Sequence, residues 1–433
     1  MKDISCPTGE TGSIFEKSKK FHHFFTMDGA VGTLVERCGL DPSKMGSMWS
    51  TSALITDEEI VRYVHKSYLD VGADVILTNT YQMHAAGCAQ AGVTMNEVVN
   101  TAVRVLCDGI TPERAAATKE AKVWAQHVMN NKRSEFVDVF APLFYGPRDD
   151  ASKCPVLVGG SLGSYGASLG NAQEYRGEYE VNEDIIRDYY VGRFMAFVNH
   201  VDEKEAHLKV DFIMIETIPL LNEAIEIFTW LKYQKEDETL RSAPVCLSFI
   251  SCLREPRPDV TVDDATLNEW WLAAESNIRL IDGNTFEKAF NSLMELQLPQ
   301  LVGFGTNCCS PLEASVVASA FLKKKKHKVT DPSLALFLYS NSGENFKEGE
   351  WHWGGQLPRG SHSPTSSPKE TLPFTTLQRL MLCCEADVRT AAFFAHQLLL
   401  QRPEADDWLF DIIICGGCCR STPEDIAMIR SLV

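Results

Sequence analysis

Eight short apolar runs recur along the chain, nearly continuous in Val, Ile, Leu and Phe and without polar alternation. They are FFTMDGAVGT from Phe24, ADVILTNTYQ from Ala73, PVLVGGSLGSYG from Pro155 and DFIMIETIP from Asp211. APVCLSFISC from Ala243, LVGFGTNCC from Leu301, LALFLYSNSGE from Leu334 and DIIICGGCC from Asp411 complete the set. Runs of this kind mark strands buried on both faces, as in a parallel sheet covered by helices. Segments of helical period lie between them. TDEEIVRYVHKSYLDVG opens at Thr56 with Glu58 and Glu59 in its first turn. NEDIIRDYYVGRFMAFVNHV, NEAIEIFTWLKYQ, GNTFEKAFNSLMEL, SPLEASVVASAFLKKKK and TLQRLMLCCEADVRTAAFFAHQLLLQ repeat apolar residues every three or four positions. Eight strand–helix units in one chain predict an α/β fold of the (β/α)8 TIM-barrel type.

Three stretches fall outside the repeat and read as surface insertions, at about 124–154, 253–283 and 354–373. The last is rich in Gly, Pro and Ser and reads as a lid or a flexible loop. No point in the core invites a cut, so residues 1–433 read as a single domain with its core at about 24–433.

The formal net charge of −17 argues against nucleic acid or an anionic membrane as partner, because phosphates would be repelled. The run KKKKHK at Lys323–Lys328 reads as the solvated end of a surface helix. No apolar run reaches 18 residues, and the first twenty residues lack a secretory pattern. A cytoplasmic, reducing setting is therefore expected for the fourteen cysteines, where clustered thiols suggest metal or catalysis more than disulfides.

Cys308-Cys309 ends the sixth run and Cys418-Cys419 ends the eighth. In a barrel these ends share one rim, and three thiolates there would suit zinc. Neighbouring side chains on a strand point to opposite faces, so Cys418 and Cys419 need a backbone turn, for which Gly416 and Gly417 offer freedom. Two other readings stay open. Cysteines on buried strands serve as small hydrophobes, and under oxidation Cys308 could bond Cys418 or Cys419 and expel a metal. Cys309 should diverge from its neighbour, Cys415 reads as packing, and Cys383-Cys384 reads as core or surface within a helix.

GTNCCSP followed by GGCCRSTPEDI resembles the homocysteine S-methyltransferase family, which includes betaine-dependent enzymes and the homocysteine module of methionine synthase. MDGAVGT, GADVILTNTYQ, GSYGASLGNAQEYRGEY, IETIP and YSNSGE extend the likeness from about Phe24 to Val433. The block GSLGSYGASLGNAQEYRGEY is most similar to the branch using S-methylmethionine or S-adenosylmethionine as donor. The resemblance implies an enzyme in which Cys308, Cys418 and Cys419 hold Zn2+ and a methyl group passes from a sulfonium to the thiol of L-homocysteine, giving methionine. It implies small-molecule partners, homocysteine and a sulfonium methyl donor. A betaine-dependent enzyme, or a zinc or thiol redox sensor on the same barrel, are the competing readings.

Glu216 ends the fourth apolar run and is the candidate for the homocysteine ammonium, against an ordinary rim charge. Asp28 should assist at the ammonium or order the site, against capping a turn. Gly29 and Gly32 would let backbone amides approach the substrate carboxylate, while Thr78 and Asn79 would donate hydrogen bonds. Asn307 precedes the first thiol and would orient it. Trp49 and Tyr165 would bound the donor pocket, where an aromatic face attracts a sulfonium, or simply pack.

Overall fold

The computed structural model describes residues 23–41, 46–129, 137–145, 150–199, 209–234, 237–326, 334–347, 350–352, 371–383, 386–403 and 408–432. All eight apolar runs form strands: Phe24–Thr26 (β1), Val75–Leu77 (β2), Leu157–Gly163 (β3), Phe212–Ile218 (β4), Val245–Phe249 (β5), Leu301–Asn307 (β6), Leu334–Ser340 (β7) and Phe410–Gly417 (β8). They pair in parallel in the order β1-β8-β7-β6-β5-β4-β3-β2. A parallel bridge between Met27 and Val75 closes the ring. The Asp28 amide donates to Val75 O at 3.0 Å there, and the Asp74 amide to Thr26 O at 2.7 Å. The chain is a (β/α)8 barrel.

Side-chain alternation survives inside the apolar runs and divides the core in two. Phe25, Met27, Met214, Phe337 and Ile414 fill the barrel, while Phe24, Ile213, Leu336 and Ile413 face the helical layer. Above that filling β3, β4, β5 and β6 carry buried polar residues, paired across strands. Ser161 donates to the Glu216 carboxyl, and Ser248 donates to Asn307 Oδ1 at 2.7 Å.

The segments set aside as insertions do different things. In the first, the turn Val137–Phe144 sends Phe140 and Leu143 into the barrel filling, where both are buried. Phe140 stacks against Phe212, the first residue of β4, at 5.6 Å between ring centroids. The second holds the helix Asp264–Asn277, whose Trp271 is fully buried. Residues 354–370 of the third lie outside the described residues.

Several local expectations change. Asp57, not Thr56, caps the helix Glu58–Asp70, accepting from the Ile60 amide, because Thr56 closes the short helix Ala53–Thr56. The segment expected as one helix from Thr376 to Gln401 is two, Phe374–Leu382 and Val388–Gln401, since Asp387 starts the second with a capping box on Thr390. Cys383 therefore ends a helix, and Cys384 lies outside the described residues. The basic run follows the end of helix Pro311–Phe321 with Lys323 and Lys325 exposed, as expected of a solvated helix end. It carries surface contacts: Lys323 meets Glu275 at 2.8 Å, Lys324 meets Glu287 at 2.7 Å, and Lys325 lies 3.3 Å from the Trp408 ring centroid. Among the described residues no helix is long and apolar enough to cross a membrane.

Phe140→Ala should leave a cavity among the first residues of the strands and lower unfolding free energy by about 3–5 kcal/mol. Chemical denaturation measures this; a loss below about 1 kcal/mol would show that the segment does not fill the barrel.

Candidate metal centre

Two strand ends and the loop between them build the site. Beyond β6 the backbone turns at Cys308, whose φ is 51°. Helix Pro311–Phe321 then begins, with Ser310 as N-cap and Glu313 closing a capping box. Beyond β8 a turn runs from Cys418 to Ser421, with the Ser421 amide donating to Cys418 O at 3.0 Å. Arg420 occupies its third position with φ 69°, the left-handed region that a type II turn requires there. Helix Pro423–Arg430 follows behind a second capping box, Thr422 with Asp425.

Strand β7 lies between β6 and β8, and its trailing loop braces both thiol turns. The Asn341 amide donates to Cys309 O at 2.9 Å, and Asn341 Nδ2 donates to Cys308 O at 3.2 Å. The Cys418 amide donates to Ser340 O at 2.7 Å, and the Ser342 amide to Cys419 O at 3.0 Å. Glu344 holds Arg420 through Nε at 3.1 Å. The glycines ahead of the thiols serve close approach instead of the turn. A Cβ on Gly416 would lie 2.6 Å from Asp28 O, and neither Gly416 nor Gly417 has a positive φ.

The sulfurs of Cys308 and Cys418 are in bonding contact, with Cα atoms 5.5 Å apart across 110 positions of chain. The Cys419 sulfur is 3.9 Å from that of Cys308. All three lie within 4.8 Å of one another, and no fourth Cys, His, Asp or Glu joins them among the described residues. Cys308 is buried, while Cys418 and Cys419 are half-buried. Three soft donors with one side open match the needs of a thiophilic divalent ion that keeps a position for substrate. Burial raises the Cys419 thiol pKa, opposed first by the Tyr175 hydroxyl, so a counter-cation is what would make it a thiolate.

The remaining cysteines stand apart. Cys309 turns toward Thr306 Oγ1 at 3.5 Å, and burial pushes its thiol up to about 12. Cys415 faces the helical layer and is buried.

Glu216 and Asp28 face the same interior. Glu216 is 7% exposed and burial raises its carboxyl to about 7, with the Ser161 hydroxyl pulling the other way. Asp28 is 2% exposed and accepts from the Leu77 amide at 2.9 Å. Burial, opposed by that bond and reinforced by the charge of Glu216, holds its pKa well above the ordinary range. A cation placed between two such buried carboxyl groups would offset the burial and mutual repulsion that raise them.

Asn307, fully buried, links the carboxylate strand to the sulfur strand. Its Oδ1 accepts from the Thr217 amide at 2.9 Å and its Nδ2 donates to Thr217 Oγ1 at 2.7 Å. Thr217 is thereby held at φ 59°, next to Glu216, and Nδ2 also lies 4.0 Å from the Cys418 sulfur.

Other expected contacts are engaged within the fold. Thr78 Oγ1 accepts from the Ser161 amide at 3.0 Å, and Asn79 Nδ2 donates to Ser50 O at 2.8 Å. A Cβ on Gly29 would lie 2.8 Å from Ser421 Oγ, and one on Gly32 would enter the Trp49 ring. Trp49 thus packs directly on the Gly32 backbone, which has no room for a side chain. Tyr165 packs on Tyr179 and Tyr189, and its amide donates to Glu223 at 2.6 Å.

Three residues at the opening were not singled out from sequence. Tyr175 places its hydroxyl 3.6 Å from the Cys419 sulfur, and the backbone carbonyl of Tyr81 accepts from the Gly163 amide at 3.0 Å and from Arg193 at 2.8 Å. Glu174 exerts its charge on both tyrosines. All three sit inside motifs that the resemblance rested on, but nothing in their spacing says that they fold back over the thiols.

The sequence pattern of the family described as homocysteine S-methyltransferase matches residues 25–433. Homocysteine S-methyltransferase YbgG from Bacillus subtilis (strain 168) is 24% identical over 405 residues, 94% of this chain and 93% of that protein. Homocysteine S-methyltransferase 1 from Brassica oleracea var. italica is 28% identical over 409 residues, 93% of this chain and 91% of its own. The fold is similar to that of the homocysteine methyltransferase MmuM from Escherichia coli. Its oxidized form gives a TM-score of 0.55 at 20% identity, covering 95% of this chain and 96% of that one. Its metallated form gives 0.54 at 20% identity, covering 96% and 98%. With a pattern match running from β1 to the last residue, the chain belongs to the homocysteine S-methyltransferase family.

Proposed function

We propose that the protein transfers a methyl group from a sulfonium donor, S-methylmethionine or S-adenosylmethionine, to the thiol of L-homocysteine, with zinc held by Cys308, Cys418 and Cys419. The observation that carries the reading is the convergence of these three thiols beside the buried carboxylates of Asp28 and Glu216. A free thiol of pKa ~8.5 is only a few per cent thiolate at neutral pH. Zinc bound by three thiolates supplies the charge that keeps an incoming thiol deprotonated while leaving it electron-rich.

The chain's own groups do the rest. Glu216 and Asp28 receive the homocysteine ammonium, a cation that relieves their mutual repulsion and lets both ionise. Asn307 fixes Thr217 and so the aim of Glu216, acting as a positioning residue. In the transfer, homocysteine sulfur forms a bond to the methyl carbon as the carbon–sulfonium bond breaks. The bonding pair leaves with the donor sulfur, which becomes a neutral thioether, and the thiol proton goes to solvent. With S-methylmethionine the products are two molecules of methionine. Bonding of Cys308 to Cys418 uses the same thiols as ligation, so a reduced protein is required.

Reduced, zinc-supplied protein should form methionine from homocysteine with a sulfonium donor and at least about tenfold more slowly with betaine, whose leaving amine is not a thioether. Product formation with three donors decides this; turnover with betaine alone, or with none, contradicts it.

Glu216→Gln should raise the homocysteine KM by about 10–100-fold, the value of a hydrogen bond to a charged group. It should also stabilise the substrate-free protein. The folded carboxyl keeps its proton to about 7 against 4.5 ordinarily. Stability from this group is therefore full below about pH 4.5 and is lost as pH rises toward 7. Thermal melts should place the variant above wild type at pH 8, with the gap shrinking toward pH 5. A variant less stable at pH 8 with unchanged KM would remove Glu216 from the site.

A further inference from the structure

The segment from Gly170 to Gly177, which meets the sulfur cluster through Tyr175 and Cys419, has an unusual backbone. Gly170, Asn171, Ala172 and Gly177 all have positive φ, at 73°, 53°, 55° and 63°. Two consecutive non-glycine residues in the left-handed region persist only where their surroundings hold them. The anchors are visible. The Gly177 amide donates to Gln173 O at 2.8 Å and the Glu178 amide to Gln173 Oε1 at 3.1 Å. Tyr179 Oη donates to the buried Glu223 at 2.6 Å, fastening the far end to the start of helix Leu221–Tyr233.

That strap presents two adjacent side chains to the site. Tyr175 is 37% exposed, yet its hydroxyl reaches to 3.6 Å from the Cys419 sulfur, so its ring flanks the half-buried thiol. Glu174 is half-buried, and no Lys or Arg among the described residues lies within ion-pair distance of it. Its charge bears on Tyr81, Tyr175 and Cys419, while Glu36 bears on Cys419 too. Arg420, adjacent to Cys419, is ion-paired with Glu344. An aromatic face beside a carboxylate with no protein counter-ion is the pairing that attracts a cation without a hydrogen to donate.

We propose that the strap Gly170–Gly177 is the donor-recognition element, in which Glu174 is the counter-ion of the sulfonium and Tyr175 supplies the ring against which its methyl groups pack. This rests on the reading of the protein as a sulfonium-using methyltransferase and adds the residues that choose the donor. Asp28 and Glu216 serve the acceptor's ammonium from inside the barrel; Glu174 serves the donor's sulfur from the strap. The two cations are thereby kept on separate carboxylates.

The test compares binding of S-methylmethionine with that of methionine, which shares its skeleton but has a neutral sulfur. Calorimetry on the reduced, zinc-loaded protein measures the preference as a ratio of dissociation constants. Wild type should favour the sulfonium by about tenfold or more. Glu174→Gln should cut that preference by about five- to tenfold and change homocysteine affinity less than about twofold. Tyr175→Leu should cut it as well, by about three- to tenfold. An unchanged preference in Glu174→Gln, with wild type still making methionine from a sulfonium, overturns the strap assignment alone. A wild type that makes no methionine from any sulfonium overturns the reading beneath it. Equal loss of homocysteine and sulfonium binding in Glu174→Gln would make the residue structural and also overturn the assignment.

Discussion

The loop that follows β7 is the constraint on which the site depends. Cys308 and Cys418 are separated by 110 positions, and nothing local brings their sulfurs together. What does so is a strand lying between theirs, whose trailing residues hydrogen-bond to the backbone of both thiol turns. Ser340, Asn341 and Ser342 reach Cys308, Cys309, Cys418 and Cys419 through four such bonds. Glu344 then fixes Arg420 in its left-handed conformation. A buried amide left without its partner costs about 1–3 kcal/mol, so this arrangement resists rearrangement of any one turn. The cluster is held by backbone before any ion or bond joins the sulfurs.

The two thiol turns are built alike. Each ends a buried parallel strand, turns through a residue with positive φ, and starts a helix at a Ser or Thr followed by Pro and an acidic residue three positions on. Starting a helix this way satisfies its first amides and leaves the preceding residues free to aim at the barrel axis. Rim position follows from the barrel, since strand ends gather on one face. Asn307 extends the same logic sideways: one amide ties β6 to β4 and β5, so the sulfur and carboxylate halves of the site cannot move independently.

All eight strands were legible because burial on both faces leaves an unmistakable apolar run, and the thiol set was legible because both pairs end such runs. The direction of each side chain was less so. Cys309 and Cys415 were rightly kept apart from the cluster, on alternation alone. Gly416 was read for freedom but is required by the nearness of Asp28, a contact between the first and last strands. Thr78 and Asn79 looked available, yet their groups bind backbone atoms of distant segments. Phe140 and Leu143 fill the barrel from a stretch with no period of its own, and a plug of that kind leaves no local signature. Tyr175 and Glu174 escaped notice for the same reason: their role depends on a strap whose path is set by far-off anchors.

The account stands or falls on which thiols share an ion. Zinc per chain, measured on freshly reduced protein and on Ser variants of Cys308, Cys309, Cys418 and Cys419 taken singly, addresses it most directly. About one zinc is expected for wild type and Cys309→Ser, and less than roughly a tenth of that for each of the other three, with their folds intact by circular dichroism. Full occupancy in any of those three, or loss in Cys309→Ser, would contradict it.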